Sequence, residues 1–107
     1  MANEKLLGAL GLARRAGALV IGFDGVKDAL LTGRACLVLA AADTSEGSVS
    51  RLQRLCEEDD IELRLLPLEQ RQLMPLLHKA VGVMAVTDEN LAVLCRRNLP
   101  QEGEKED

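Results

Sequence analysis

Apolar positions change rhythm repeatedly along this chain, and each change predicts an element. Ala18–Ile21 reads as a short strand that stops at Gly22. Val26, Ala29 and Leu30 then recur at helical spacing, and Gly33 stands where a left-handed residue ends a helix. Cys36–Ala42 is apolar without alternation, as in a central strand covered on both faces. Upstream, Leu6, Leu7, Leu10 and Ala13 predict a first helix, capped by Asn3 and stopped by Gly17 after Arg14 and Arg15. Gly8 and Gly11 lower its propensity by up to ~1 kcal/mol each relative to Ala and suggest a close approach to the sheet. Downstream, Val49, Leu52, Leu55 and Cys56 form the stripe of a third helix, capped by Asp43 with Glu46 three residues later. Ile61–Leu65 alternates as a strand with one wetter face. Leu68–Met74 reads as a helix that Pro75 breaks or restarts, and Gly82–Val86 as a fourth, apolar strand. Leu91, Leu94 and Cys95 place a last helix, capped by Thr87 or Asp88, ending in Arg96 and Arg97, with regular structure stopped at Pro100. Helices alternating with strands in this order predict an α/β fold, a three-layer sandwich with a small sheet between helices.

Length and composition narrow the picture. At 107 residues the chain fits one domain, residues 1–100, followed by the acidic segment 101–107, expected to be disordered. That segment holds four acidic residues and Lys105; of the formal charge of −4, it leaves 12 basic and 13 acidic groups in residues 1–100. A near-neutral domain can still own a basic face, so net charge decides nothing about nucleic acid. The acidic run Glu57–Asp60 is a place nucleic acid should avoid. Phe23 is the sole aromatic residue, so the core must be Leu, Val and Ala, and stacking platforms for bases are scarce. Cys36, Cys56 and Cys95 lie far apart in apolar contexts, which predicts buried, reduced thiols. With no signal-peptide pattern and no membrane-length apolar run, a cytoplasmic location is expected.

The catalytic inventory is thin. His78 is the only histidine and has no recognisable nucleophile or base partner, which argues against a triad or a multi-histidine metal site. No enzyme activity, metal or cofactor is expected. Gly22-Phe23-Asp24-Gly25 lies at a strand–helix junction but matches neither a Walker loop nor a dinucleotide fingerprint. The same turn aims the first backbone amides of a helix at solvent, where an anion can bind.

The segment Leu12-Ala13-Arg14-Arg15-Ala16-Gly17-Ala18-Leu19-Val20-Ile21-Gly22 resembles the bacterial YlxQ branch of the superfamily of the kink-turn-binding ribosomal protein L7Ae. Gly33–Ala40, Asp43, Leu55-Cys56 and Val83–Asp88 continue that resemblance in order, over about residues 6 to 95. It implies a three-layer α/β/α sandwich with a mixed four-stranded sheet. It also implies a noncatalytic RNA-binding protein in a ribosome or translation context, with structured RNA and ribosomal or translation-associated proteins as partners.

The RNA contacts implied by the resemblance are altered here. Kink-turn binders carry Gly-x-Asn-Glu-x-x-Lys where this chain has Gly22-Phe23-Asp24-Gly25-Val26-Lys27-Asp28. Gly22 matches. Asp24 replaces an amide with an acceptor-only anion, Gly25 removes an acceptor for a base edge, and Asp28 reverses a positive charge. Lys27 comes one residue early, roughly 100° around the helix. The family's second element, a loop before the last strand, corresponds to Leu76–Val81. In it Leu77 and Ala80 would pack on unstacked bases, with His78 and Lys79 beside them. The expected surface therefore joins Gly22, Asp24, Gly25 and Lys27 to Leu77, His78, Lys79 and Ala80, with Arg14, Arg15 and Arg34 as further phosphate contacts. Two other readings stay open: a protein-interaction module that has kept the fold and lost RNA recognition, and a small-ligand or nucleotide binder using the Gly22 turn.

Overall fold

The computed structural model describes residues 2–100; the segment 101–107 expected to be disordered lies outside the described residues. Five helices and four strands alternate: α1 (Ala2–Arg15), β1 (Leu19–Ile21), α2 (Phe23–Leu31), β2 (Leu37–Ala40), α3 (Glu46–Glu58), β3 (Leu63–Leu65), α4 (Gln70–Leu77), β4 (Val83–Val86) and α5 (Glu89–Arg97). The sheet order is β1-β4-β2-β3; β4 runs antiparallel to both β1 and β2, while β2 and β3 are parallel. The sheet is therefore mixed and four-stranded, as expected.

Every residue of β2 and β4 is buried, so both faces of these strands must be covered. Leu37, Leu39, Met84 and Val86 point into one core with Leu6, Leu10, Leu73, Leu77 and Cys95 of α1, α4 and α5. Val38, Ala40, Val83 and Ala85 point into the other with Val26, Ala29, Leu30, Leu52 and Cys56 of α2 and α3. The period-2 alternation of side chains along the two strands thus sorts the helices into two layers.

Helix ends mostly fall where the sequence places them. Gly33 has φ 74°, and beside it the Arg34 and Gly33 amides donate to Ala29 O at 2.9 Å and Leu30 O at 3.2 Å. This is the paired bonding that terminates a helix on a left-handed residue. Asp60 plays the same part after α3 with φ 57°, and the Ile61 amide is drawn back to Cys56 O at 2.9 Å. That bond delays β3 to Leu63.

Several expectations need correction. Asn3 lies inside the first turn of α1 rather than capping it, because the helix begins at Ala2. Gly8 does not approach the sheet: it is exposed with open space around it, and Gly11 faces Leu76 of α4 at ordinary contact distance. Ser45, not Asp43, caps α3, accepting the Ser48 amide, because a turn closed by Thr44 N–H to Ala41 O at 3.1 Å postpones the helix. Asp43 Oδ1 instead accepts the Gln70 amide at 3.0 Å, at the start of α4, whose cap is Glu69 in a capping box with Gln72. Pro75 does not end α4, which runs on to Leu77. The helix interior cost of proline, ~3 kcal/mol, is offset by full burial of Leu73 and Leu77, roughly 1.5–3 kcal/mol each. Cys36 is half-buried, whereas Cys56 and Cys95 are buried as expected.

The central position of β2 carries a stability prediction. Amides of Leu37–Ala40 should be among the slowest to exchange with deuterium. Leu39→Ala, at a site with no exposed surface, should cost about 2–5 kcal/mol in chemical denaturation. A loss near zero would mean that the strand is not the centre of the core.

Candidate functional site

The site is assembled where β1 gives way to α2. Ile21 is paired with Met84, and Gly22 then donates its N–H to Val83 O at 2.9 Å, so the chain is still tied to β4 as it turns. The turn requires φ 94° and ψ 152° at Gly22, a region accessible in practice to glycine. Gly22 has no side chain to cap the helix, and the first backbone bond back is Val26 N–H to Gly22 O at 3.0 Å. The amides of Phe23, Asp24 and Gly25 therefore precede the first helical bond and carry the positive end of the helix dipole. Exposed Asp24 sits in that first turn and offsets part of this potential.

A second segment meets this turn. The chain leaves α4 at His78, whose φ is 65° and whose amide donates to Met74 O at 2.7 Å, and passes through Lys79–Gly82 into β4. Gly22, Phe23 and Ala80–Val83 line one groove of about 480 Å³, together with Asp43, Thr44, Ser45, Ser48 and Gln70. The polar lining is thus hydroxyl and amide groups together with the Asp43 carboxylate. Gly82 belongs at its base for a steric reason: a Cβ there would stand 2.9 Å from Thr44 Oγ1. The Thr44 hydroxyl donates to Gly82 O at 3.1 Å, which ties the start of α3 to the segment before β4.

The two predicted loops are therefore brought together, but their residues play unequal parts. Gly22 and Ala80 line the shared groove. Leu77 does not present itself to a ligand; at 1% exposure it belongs to the core, because its place one turn after Leu73 keeps it on the buried stripe of α4. The exposed His78 terminates α4, and Lys79 is exposed with no ion-pair partner among the described residues. Gly25 packs onto β1: a Cβ there would lie 2.7 Å from Val20 Cγ1. A side chain at this position would require Val20 to shift.

Charge is also distributed differently from the expectation. Asp28 is not a bare anion, since Arg34 Nη2 pairs with its Oδ2 at 3.0 Å while Arg34 Nε donates to Thr32 Oγ1. Arg34 is accordingly committed, and neither Arg14 nor Arg15 lines the groove. Lys27 turns away toward α3 and borders a separate cleft. Thr44, Ser45, Ser48 and Gln70 are groove residues that the sequence did not single out.

The thiols are all held toward their protonated form. Burial pushes the Cys56 thiol up to about 11, helped by Asp59 and Glu57. Burial also raises Cys36, with Glu89 and Asp88 adding to it, and raises Cys95 against the opposing Arg96. A raised thiol pKa disfavours the nucleophilic thiolate at neutral pH. Among the described residues no group of three or more His, Cys, Asp or Glu side chains is placed to hold a metal ion, and no helix is long and apolar enough to cross a membrane.

The model of the ribosomal protein L7Ae/L30e/S12e/Gadd45 family matches residues 4–95. A protein of unknown function from Bacillus halodurans C is similar in structure, with a TM-score of 0.74 and 29% identity over 86% of this chain and 97% of that one. The Giardia lamblia 15.5kD RNA binding protein superposes with the same TM-score of 0.74 at 18% identity, over 91% of this chain and 83% of its own. No curated protein matches the chain significantly.

The contact between Gly25 and Val20 can be tested directly. Gly25→Ala should destabilise the protein by about 1–3 kcal/mol through overpacking. Val20→Ala in the same chain should recover part of that loss, giving a coupling of at least ~0.5 kcal/mol in a double-mutant cycle. Strict additivity would show that α2 does not rest on Val20.

Proposed function

The chain belongs to the ribosomal protein L7Ae/L30e/S12e/Gadd45 family, and on that premise we propose that it is a noncatalytic RNA-binding protein of the ribosomal-protein type. Its binding surface is the groove that joins the start of α2 to Lys79–Val83. The carrying observation is that groove itself, where uncapped helix amides meet hydroxyl and amide side chains, with exposed Lys79 next in the chain to its lining residue Ala80. Helix amides and Lys79 hold phosphates, while Thr44, Ser48 and Gln70 meet the edges of an unstacked base over Ala80 and Val81. The RNA-binding description of the Giardia lamblia protein, which shares this fold, supports the same reading.

Recognition differs from that of a standard kink-turn binder, and the difference has a steric as well as an electrostatic cause. Asp24 opposes phosphate at the helix start. Gly25 offers no acceptor to a base, and a side chain there would have to displace Val20. Asp28 is compensated by Arg34, yet the pair supplies no free cation at that point of the helix. We place the protein in a ribosome or translation context, in the cytoplasm, bound to an RNA with a different local structure. A protein-interaction module is the second reading; Asp24 and the exposed carboxylates of Glu57–Asp60 favour it.

Two measurements examine this proposal. RNA recovered with the purified protein, titrated back onto it, should bind with an affinity that falls as salt rises. Lys79→Ala should weaken binding and reduce the salt slope by about one phosphate contact. Binding indifferent to both salt and Lys79 would point to the interaction module instead. A standard kink-turn RNA should bind the natural chain weakly. The variant Val20→Ala, Asp24→Asn, Gly25→Glu, Asp28→Lys should gain at least about tenfold, or ~1.4 kcal/mol. Tight kink-turn binding by the natural chain with no gain in the variant would contradict this account of the turn.

A further inference from the structure

Lys27 stands one position before the lysine of the kink-turn motif, and the structure shows where that rotation takes it. It enters a cleft of about 300 Å³ between α2 and α3, lined by Phe23, Lys27, Arg51, Arg54, Leu55 and Glu58. Arg51 and Arg54 are one turn apart on α3, so both reach the same side of the helix. The Arg51 guanidinium carbon lies 4.5 Å from the centroid of the Phe23 ring, which holds this long side chain over the cleft. Among the described residues no carboxylate forms an ion pair with Lys27, Arg51 or Arg54. Three cations thus face a single lining carboxylate, Glu58. Like charges gathered in this way repel one another until a polyanion relieves them.

Phe23 lines both this cleft and the Gly22 groove, so the two adjoin at the start of α2. We propose that the α2–α3 cleft binds the sugar–phosphate backbone of a single-stranded RNA segment leaving the groove, with Lys27, Arg51 and Arg54 on its phosphates. This inference rests on the RNA-binding reading above. A cleft between two helices admits one strand rather than a duplex. Phosphate contacts position RNA without reading its sequence, so the cleft lengthens the bound segment and does not specify it. Glu58 and the exposed carboxylates after it bound the cleft at the close of α3.

The test uses three labelled RNAs at several salt concentrations: an oligouridine strand, a standard kink-turn hairpin, and that hairpin with an oligouridine extension at either end. The label belongs on the RNA because the protein has no Trp or Tyr. The natural chain should bind an extended hairpin more tightly than the bare one. Arg51→Gln with Arg54→Gln should abolish that gain and make the salt slope shallower by about 1.4, two contacts at ~0.7 each on a single strand. Bare-hairpin affinity should stay unchanged, and Arg51→Lys with Arg54→Lys should retain most of the slope. Both arginines are exposed, so unchanged circular dichroism should accompany the loss. No gain from either extension, or a gain that survives the glutamine pair, overturns the inference. If Lys79→Ala still weakens the bare hairpin in that case, the RNA-binding reading stands without it. Polyglutamate displacing the extended RNA as well as oligouridine does would assign the cleft to an acidic protein, also overturning it. Absence of salt-dependent binding to oligouridine and to both extended hairpins overturns the inference, while salt-dependent binding of the RNA recovered with the protein would keep the RNA-binding reading.

Discussion

Two adjacent strands with no wet face govern this molecule. β2 and β4 bury every side chain, so their backbones must be satisfied along both edges and their surfaces covered by helices on both sides. The two surfaces are not equivalent. One carries Leu37, Leu39, Met84 and Val86, and the other Val38, Ala40, Val83 and Ala85. On the second surface α2 packs so close to β1 that residue 25 can carry no side chain without displacing Val20.

Surface chemistry at the start of α2 is thus coupled to packing beneath it. The space a side chain at residue 25 would need is occupied by Val20. Asp28 is paired with Arg34, and Lys27 lines a cleft against α3. All three arrangements fall within the first two turns of α2.

Much of this was legible from the residues, and the rest had identifiable reasons for being hidden. Continuous apolar runs at Cys36–Ala42 and Gly82–Val86 marked the central strands, and the helical spacing of Val26, Ala29 and Leu30 marked α2. The meeting of the Gly22 turn with Lys79–Val83 followed from a family resemblance, because register between β1 and β4 depends on contacts more than sixty residues apart. Leu77 was misplaced because a leucine in a loop-like context near Pro75 carries no local sign of the helix continuing beneath it. Asp43 was assigned to the wrong helix since a cap is recognised by sequence proximity, and its true recipient, Gln70, is distant in the chain. The roles of Thr44, Ser48 and Gln70 arise only from the convergence of two loops. Val20 gave no hint of crowding a side chain at Gly25 until the strand and helix were docked.

The outermost strands, β1 and β3, are three residues each. Within β3, Arg64 spans outward, bonding Glu62 and the carbonyl of Pro100, while Glu62 also holds Arg96. An open sheet normally risks recruiting further strands from neighbouring chains, since its margins display unpaired amides and carbonyls. Here both margins are short, and one is crossed by a charged brace to Pro100. A sheet whose centre is almost wholly aliphatic thereby offers little edge on which a further strand could pair.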